Sequence, residues 1–146
     1  MADPVEVAIE AALLERATAF AAAQSPAITI SLPNIAFTPP VPSKTARWLR
    51  ASFLPVPTAG LGVSALSTNQ HYGMMQIDAV GMQNAGEMAV GRLASAIIAY
   101  FAFGTQITRD GFTVQVWKPP YRASLLRDDP WAFIPVSIPY VCFAPN

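Results

Sequence analysis

The chain has 146 residues, enough for one domain with its own core. Apolar residues make up 53% and charged residues only 12%, against about 25% charged in ordinary soluble domains, so some apolar surface must be covered by something other than water, a membrane or partner subunits. Nine basic and nine acidic residues cancel, which removes the electrostatic reason to expect nucleic acid or anionic lipid as the main partner.

The first stretch, MADPVEVAIEAALLERA, reads as an amphipathic helix and not as a signal peptide: acids stand where a positive segment belongs, and Glu10, Glu15 and Arg16 interrupt any apolar run. Asp3 and Glu6 are spaced as a capping box, with Pro4 at the first helical position. Val5, Ile9, Leu13, Ala17 and Phe20 or Ala21 follow a helical stripe, and Pro26 ends it. Residues 27–31 (AITIS) read as a short strand.

Next comes LPNIAFTPP, which continues into VPSKTARWLRASFLP. Prolines 33, 39, 40 and 42 predict a stiff, extended ribbon over 32–43. The strand predicted over 45–54 has Leu49, Ala51 and Phe53 on one face with Arg47. Its other face carries Trp48, Arg50, Ser52 and Leu54, an aromatic and a cation where a bland surface is expected. Residues 55–70 hold no charge and several Gly and Pro, as befits the extended tip of a hairpin. Residues 71–80 (HYGMMQIDAV) alternate, with Met75, Ile77 and Ala79 on one face and Tyr72, Met74, Gln76 and Asp78 on the other.

A second helix is predicted over 85–103, with Asn84 and Glu87 at its start and Gly104 as its stop. It is apolar on more than one side, so the sheet covers one flank and the first helix or a neighbouring subunit covers another. Asp110-Gly111 marks a turn before a strand with Phe112, Val114 and Val116 on one face. KPPYRASLLRDDP is a second prominent loop. In WAFIPVSIPYVCF the residues Ile134, Val136, Ile138, Tyr140 and Cys142 point inward, while Pro135 and Pro139 demand an edge strand or a strand with one bare side. The order α-β-β-β-α-β-β predicts an α+β fold, an antiparallel or mixed sheet with two helices on one face, as a single domain over 1–146.

Signs of chemistry are few. Cys142 is the only cysteine, which rules out an intrachain disulfide and a thiolate metal cluster. His71 is the only histidine and has no sequence-clustered partner, so it reads as a polar loop residue before it reads as a base. Asp128 and Asp129 read as a turn and cap pair, not as metal ligands. Gly60 and Gly62 form a G-x-G with no third glycine or lysine behind it. Lys44, Arg47 and Arg50 around Trp48 fit nucleic acid, a solvated edge strand or a subunit interface, and three cations alone do not argue for the first. No catalytic, cofactor or metal residue is predicted. The longest apolar run, LASAIIAYFAF, has 11 residues, and a spanning helix needs about 20.

The order of LPNIAFTPP, RWLRASFLP, a long loop, HYGMMQIDAV, an apolar helix ending FAFG and a closing DPWAFIPVSIPY resembles the tail terminator (tail completion) proteins of long-tailed bacteriophages and phage-like gene transfer particles. The resemblance rests on Pro33-Asn34 with Phe37, Trp48-Leu49-Arg50 with Leu54-Pro55, Gly73 with Gln76, and Trp131 leading to Pro135-Val136 and Tyr140. It implies a structural virion protein with no enzymatic activity and no cofactor. Such a protein forms a homo-hexameric ring that caps the tail tube and joins it to the neck of the head, after assembly in the host cytoplasm. Tube protein, neck protein and further copies are the implied partners, with DNA only passing through and no membrane. A head-tail connector or other neck component is the alternative. The candidate subunit or tube contacts are Phe37, Arg47, Trp48, Arg50, Leu61, Leu66, Tyr121, Arg122 and Trp131, and the candidate channel-lining residues are Gln76 and Asp78. VPSKTA, over 41–46, lacks the acidic or tyrosine-rich character expected of that stretch.

Overall fold

The computed structural model describes residues 4–64 and 67–145. Helix α1 spans Val5–Ala23 and α2 spans Met88–Tyr100. The strands are β1 (Thr29–Ser31), β2 (Arg47–Pro55), β3 (Ala59–Gly60), β4 (Thr68–Met82), β5 (Gln106–Arg109), β6 (Phe112–Val116), β7 (Tyr121–Arg122), β8 (Leu126–Asp128) and β9 (Trp131–Pro145). Among the described residues these form one sheet in the order β1-β2-β4-β9-β6-β5, with β3 on β4 and with β7 and β8 on β9. β1 runs parallel to β2 and the other pairs are antiparallel, so the sheet is mixed and the fold is α+β. Helix α1 touches β1 and β2 near one edge and β5 and β6 at the other. The sheet therefore curls around this helix.

Period-2 alternation decides which face is buried. Cross-strand rows Leu49–Ala79–Ile134, Ala51–Ile77–Val136 and Phe53–Met75–Ile138 lie on the inner face. Ile9, Leu13 and Phe20 of α1 and Val90, Leu93 and Ile97 of α2 pack in the same core cluster. Both helices thus lie on one face, as the pattern predicts. α2 fits closely against β4: a Cβ on Gly81 would stand 2.6 Å from Val90 Cγ2. α2 is shorter than the 85–103 expected at both ends: Asn84 (φ 64°) and Gly86 (φ 92°) leave helical backbone before it, and Phe101 (φ −104°, ψ 40°) leaves it after Tyr100. The predicted cap Asp3 lies outside the described residues. The Asp110-Gly111 turn is found, with φ 53° and 83°, as a type I′ hairpin between β5 and β6 requires.

β9 is not an edge strand. β4 covers one side along its whole length, and β6, β7 and β8 cover the other in short pieces. The pieces pair with 140–142, 136–137 and 131–133. Pro139 and Pro135 fall in the two gaps between them. The Pro135 carbonyl accepts from Ala123 N at 2.9 Å, which places Pro135 on the interrupted side, where its missing N–H leaves no ladder bond unmade. The bare side is real, but it is local.

No described helix is long and apolar enough to cross a membrane.

Candidate assembly surface

The outer face of the sheet carries the residues that the sequence leaves unexplained. Trp48, Val80 and Phe133 form one cross-strand row, and Arg50, Asp78 and Pro135 the next. Trp48, Val80 and Trp131 are buried as a second small cluster, with Phe37, Ala46 and Phe133 packed against it. The Trp48 and Trp131 rings meet edge-on at 5.9 Å, and Phe37 lies 5.1 Å from Trp48. This contact answers what the proline ribbon does: Phe37 fastens it to the outer face. Ribbon residues beyond this contact stay exposed, Val41 at 85% and Ile35 at 61%.

Beside the aromatics, Arg50 Nε donates to Asp78 Oδ2 at 2.8 Å and Gln76 Nε2 donates to Asp78 Oδ1 at 2.9 Å. The Arg50 guanidinium also lies 5.0 Å from the Phe133 ring and 5.7 Å from Trp48. Asp78 is 4% exposed, so of the two candidate channel residues only Gln76, half-buried, offers surface of its own in the single subunit. The next rows bring Leu54 and Met74 beside Pro139, and Tyr121 beside Ser137, with the Tyr121 hydroxyl 3.7 Å from Met74 Sδ. Leu54 and Tyr121 are exposed.

Six predicted residues, Phe37, Trp48, Arg50, Gln76, Asp78 and Trp131, thus meet in one patch, with Tyr121 beyond it on the same face. The remaining ones scatter. Arg122 faces the other way and donates to the Gly91 carbonyl of α2 at 3.2 Å. Arg47 lines a cavity at the start of α2. Leu61 is exposed on the β2–β4 hairpin loop, and Leu66 lies outside the described residues. Leu54, Met74 and Phe133 belong to the face and were not among the predicted contacts. Their signal was present in the alternation, since each is the outward neighbour of a core residue.

His71 has more company than its sequence neighbours suggest. Thr58 Oγ1 lies 3.2 Å from its Nδ1, and Glu6, Glu10 and Tyr140 line the same cavity. The cavity is about 80 Å³, far below the roughly 300 Å³ at which small-molecule pockets begin. Among the described residues no three His, Cys, Asp or Glu side chains group to hold a metal.

Burial raises the Tyr140 phenol above its ordinary value, with the negative charge of Glu10 adding to it, and burial alone raises the Cys142 thiol. Both groups are therefore held neutral in the native state. A raised native pKa stabilises fully below the unfolded value and is lost as pH climbs through the native one. Stability should hold level up to about pH 8 and fall from about pH 9 upward, as the unfolded chain gives up first the thiol and then the phenol proton. Urea midpoints measured from pH 7 to 11 should show Cys142→Ala losing stability later in the titration than the natural chain. Identical alkaline profiles would contradict the thiol's part.

The fold is a two-helix α+β structure on a curled, mixed sheet, with an aromatic and arginine patch on the face that neither helix covers. The chain belongs to the phage tail terminator protein family, whose model matches residues 8–140. Its role is structural, in a phage tail and in association with other virion components. One of five matching chains among solved structures aligns over 97% of this chain and 98% of that one, with a TM-score of 0.78 and 25% identity. No curated protein matches.

Proposed function

We propose that the protein acts as a single domain that closes into a ring of six copies on the end of the tail tube and forms the joint to the neck of the head. The outer sheet face carries this reading. Around the buried Trp48 and Trp131 it presents exposed Tyr121 and Leu54 with half-buried Arg50 and Met74, on a face that neither helix of the chain covers. Tyr and Arg are residue types favoured at subunit contacts. In a head-to-tail ring each copy covers its neighbour's apolar surface, which accounts for a charge content of 12%. The aromatic end of the patch, where Phe37 fastens the ribbon, meets a neighbouring copy or the tube, and the hairpin loop around Leu61 and the loop around Tyr121 and Arg122 reach the adjoining components. Gln76, with the Asp78 carboxylate behind it, faces the channel, where passing DNA meets few cations. The ring works without a cofactor and without turnover.

Light scattering across a concentration series, with and without isolated tail tubes, tests the reading. The expected species has about six times the 15.6 kDa mass of the chain and an open centre in negative stain. A monomer at every concentration that also ignores added tubes would overturn it.

A further inference from the structure

The chain has an apolar, basic hollow at one end of the sheet and a largely apolar, acid-flanked ridge at the other. The hollow is a cavity of about 330 Å³ between the start of β2, the end of β4 and α2, with Ala46, Val80, Ala89, Val90 and Leu93 in its wall and Lys44 and Arg47 beside them. Among the described residues neither cation has a carboxylate partner, since the ion pairs are Arg50–Asp78 and Arg109–Glu15. The ridge is the outward side of α1. Ile9, Leu13, Ala17 and Phe20 face the core. Val7, Ala11 and Leu14 recur at helical spacing on the opposite side, and the uncharged Thr18 continues the row. Val7 is 48% exposed, and Glu6 and Glu10, one turn apart on one side of it, are exposed and outside both of these ion pairs.

The two features cannot meet within one chain. Glu6 and Glu10 lie beside His71 and Tyr140, while the hollow contains Val80, Gly81 and Met82. The stretch of β4 from His71 to Val80 separates the two ends, about 30 Å of strand. Opposite charge, apolar surface on both, and placement at opposite ends are what a head-to-tail contact between identical subunits needs.

We propose that the first turns of α1, with Val7 beside Glu6 and Glu10, seat in the Lys44 and Arg47 hollow of a second copy. This contact rests on the ring reading and names the surfaces that close the ring. Val7 fills apolar space, and the two glutamates neutralise two cations that have no carboxylate partner in the single subunit.

A cysteine pair tests it. Glu10→Cys with Lys44→Cys in one chain cannot bridge internally, because a disulfide tolerates at most about 7 Å between Cα atoms. The natural Cys142 is fully buried and does not compete. Mild oxidation should convert the double variant into a ladder of covalent multimers, and a mixture of the two single variants into crossed dimers. Lys44→Glu with Arg47→Glu should weaken assembly about ten-fold or more, and Glu6→Lys with Glu10→Lys in the same chain should restore it. If the natural chain forms rings while the cysteine variant stays uncrosslinked and the charge reversals change nothing, this contact is wrong and the ring reading survives. If neither rings nor crosslinks form, with or without added tail tubes, both fall.

Discussion

Trp48→Ala should lower unfolding stability by about 3–5 kcal/mol, the range for truncating a buried aromatic, and the melting temperature by roughly 10 °C or more for a chain of this size. Trp48 is 6% exposed and lies at the centre of the outer cluster, touching Phe37 and Trp131. Its removal opens a hole and unfastens the ribbon at the same time. Trp48 Nε1 is buried with no acceptor among the described residues, and an unmade buried hydrogen bond costs about 1–3 kcal/mol. Trp48→Phe removes that orphan donor along with the extra ring, so it should cost less than half as much as Trp48→Ala. Chemical denaturation of the three proteins decides this. Equal losses from Phe and Ala would show that the indole nitrogen has an acceptor and is worth keeping. The result also governs how assembly mutants are read, because a failed ring in Trp48→Ala reports on folding as well as contact. Arg50 gives the cleaner probe of contact.

Arg50→Met should cost about 2–3 kcal/mol. Removing one partner of a buried pair leaves the other charge uncompensated, at about 3–5 kcal/mol when both are buried. Here the Arg50 side chain is 37% exposed and that of Asp78 only 5%, so the loss falls below that range. Methionine keeps an apolar stem against Phe133 and Trp48, which isolates the charge. Gln76 still donates to Asp78 Oδ1, but a single neutral donor does not replace a guanidinium. Asp78→Asn on the Arg50→Met background should recover most of the loss, and Asp78→Asn in the natural chain should cost more than it does there. A loss under about 0.5 kcal/mol for Arg50→Met, the scatter of ordinary surface changes, would mean that water supports Asp78 and that Arg50 is free to serve a neighbour.

The inner face was legible because it obeys one rule. Leu49, Ala51 and Phe53, then Met75, Ile77 and Ala79, then the even positions from Ile134 to Cys142, alternate as a half-buried sheet must, and each set is found in or against the core. The turn at Asp110-Gly111 was legible because few residues tolerate positive φ. The outer patch could be read only in part. Trp48 and Arg50 stood out as misplaced, but nothing local says that Asp78 will lie opposite Arg50, since pairing register across a separation of 28 positions is a property of the folded sheet. The His71 surroundings were hidden for the same reason: Glu6, Glu10 and Tyr140 arrive from both ends of the chain. The prolines of β9 misled toward an edge because the rule concerns the missing N–H, and sequence does not say that the flanking strands break where those two residues stand.

The placement of β9 has a consequence for the order of events at the ribosome. Its ladder with β4 joins Met82 to Trp131 and Thr68 to Pro145, so the centre of the sheet is closed by the last 15-residue strand. The β2–β4 hairpin can zip while α2 is still being translated, yet one long side of β4 stays unpaired until β9 emerges. Such long-range closure is slow, and the nascent chain meanwhile exposes an open sheet edge. Copies translated side by side on one message are thereby most at risk of pairing wrongly before each has completed its own sheet.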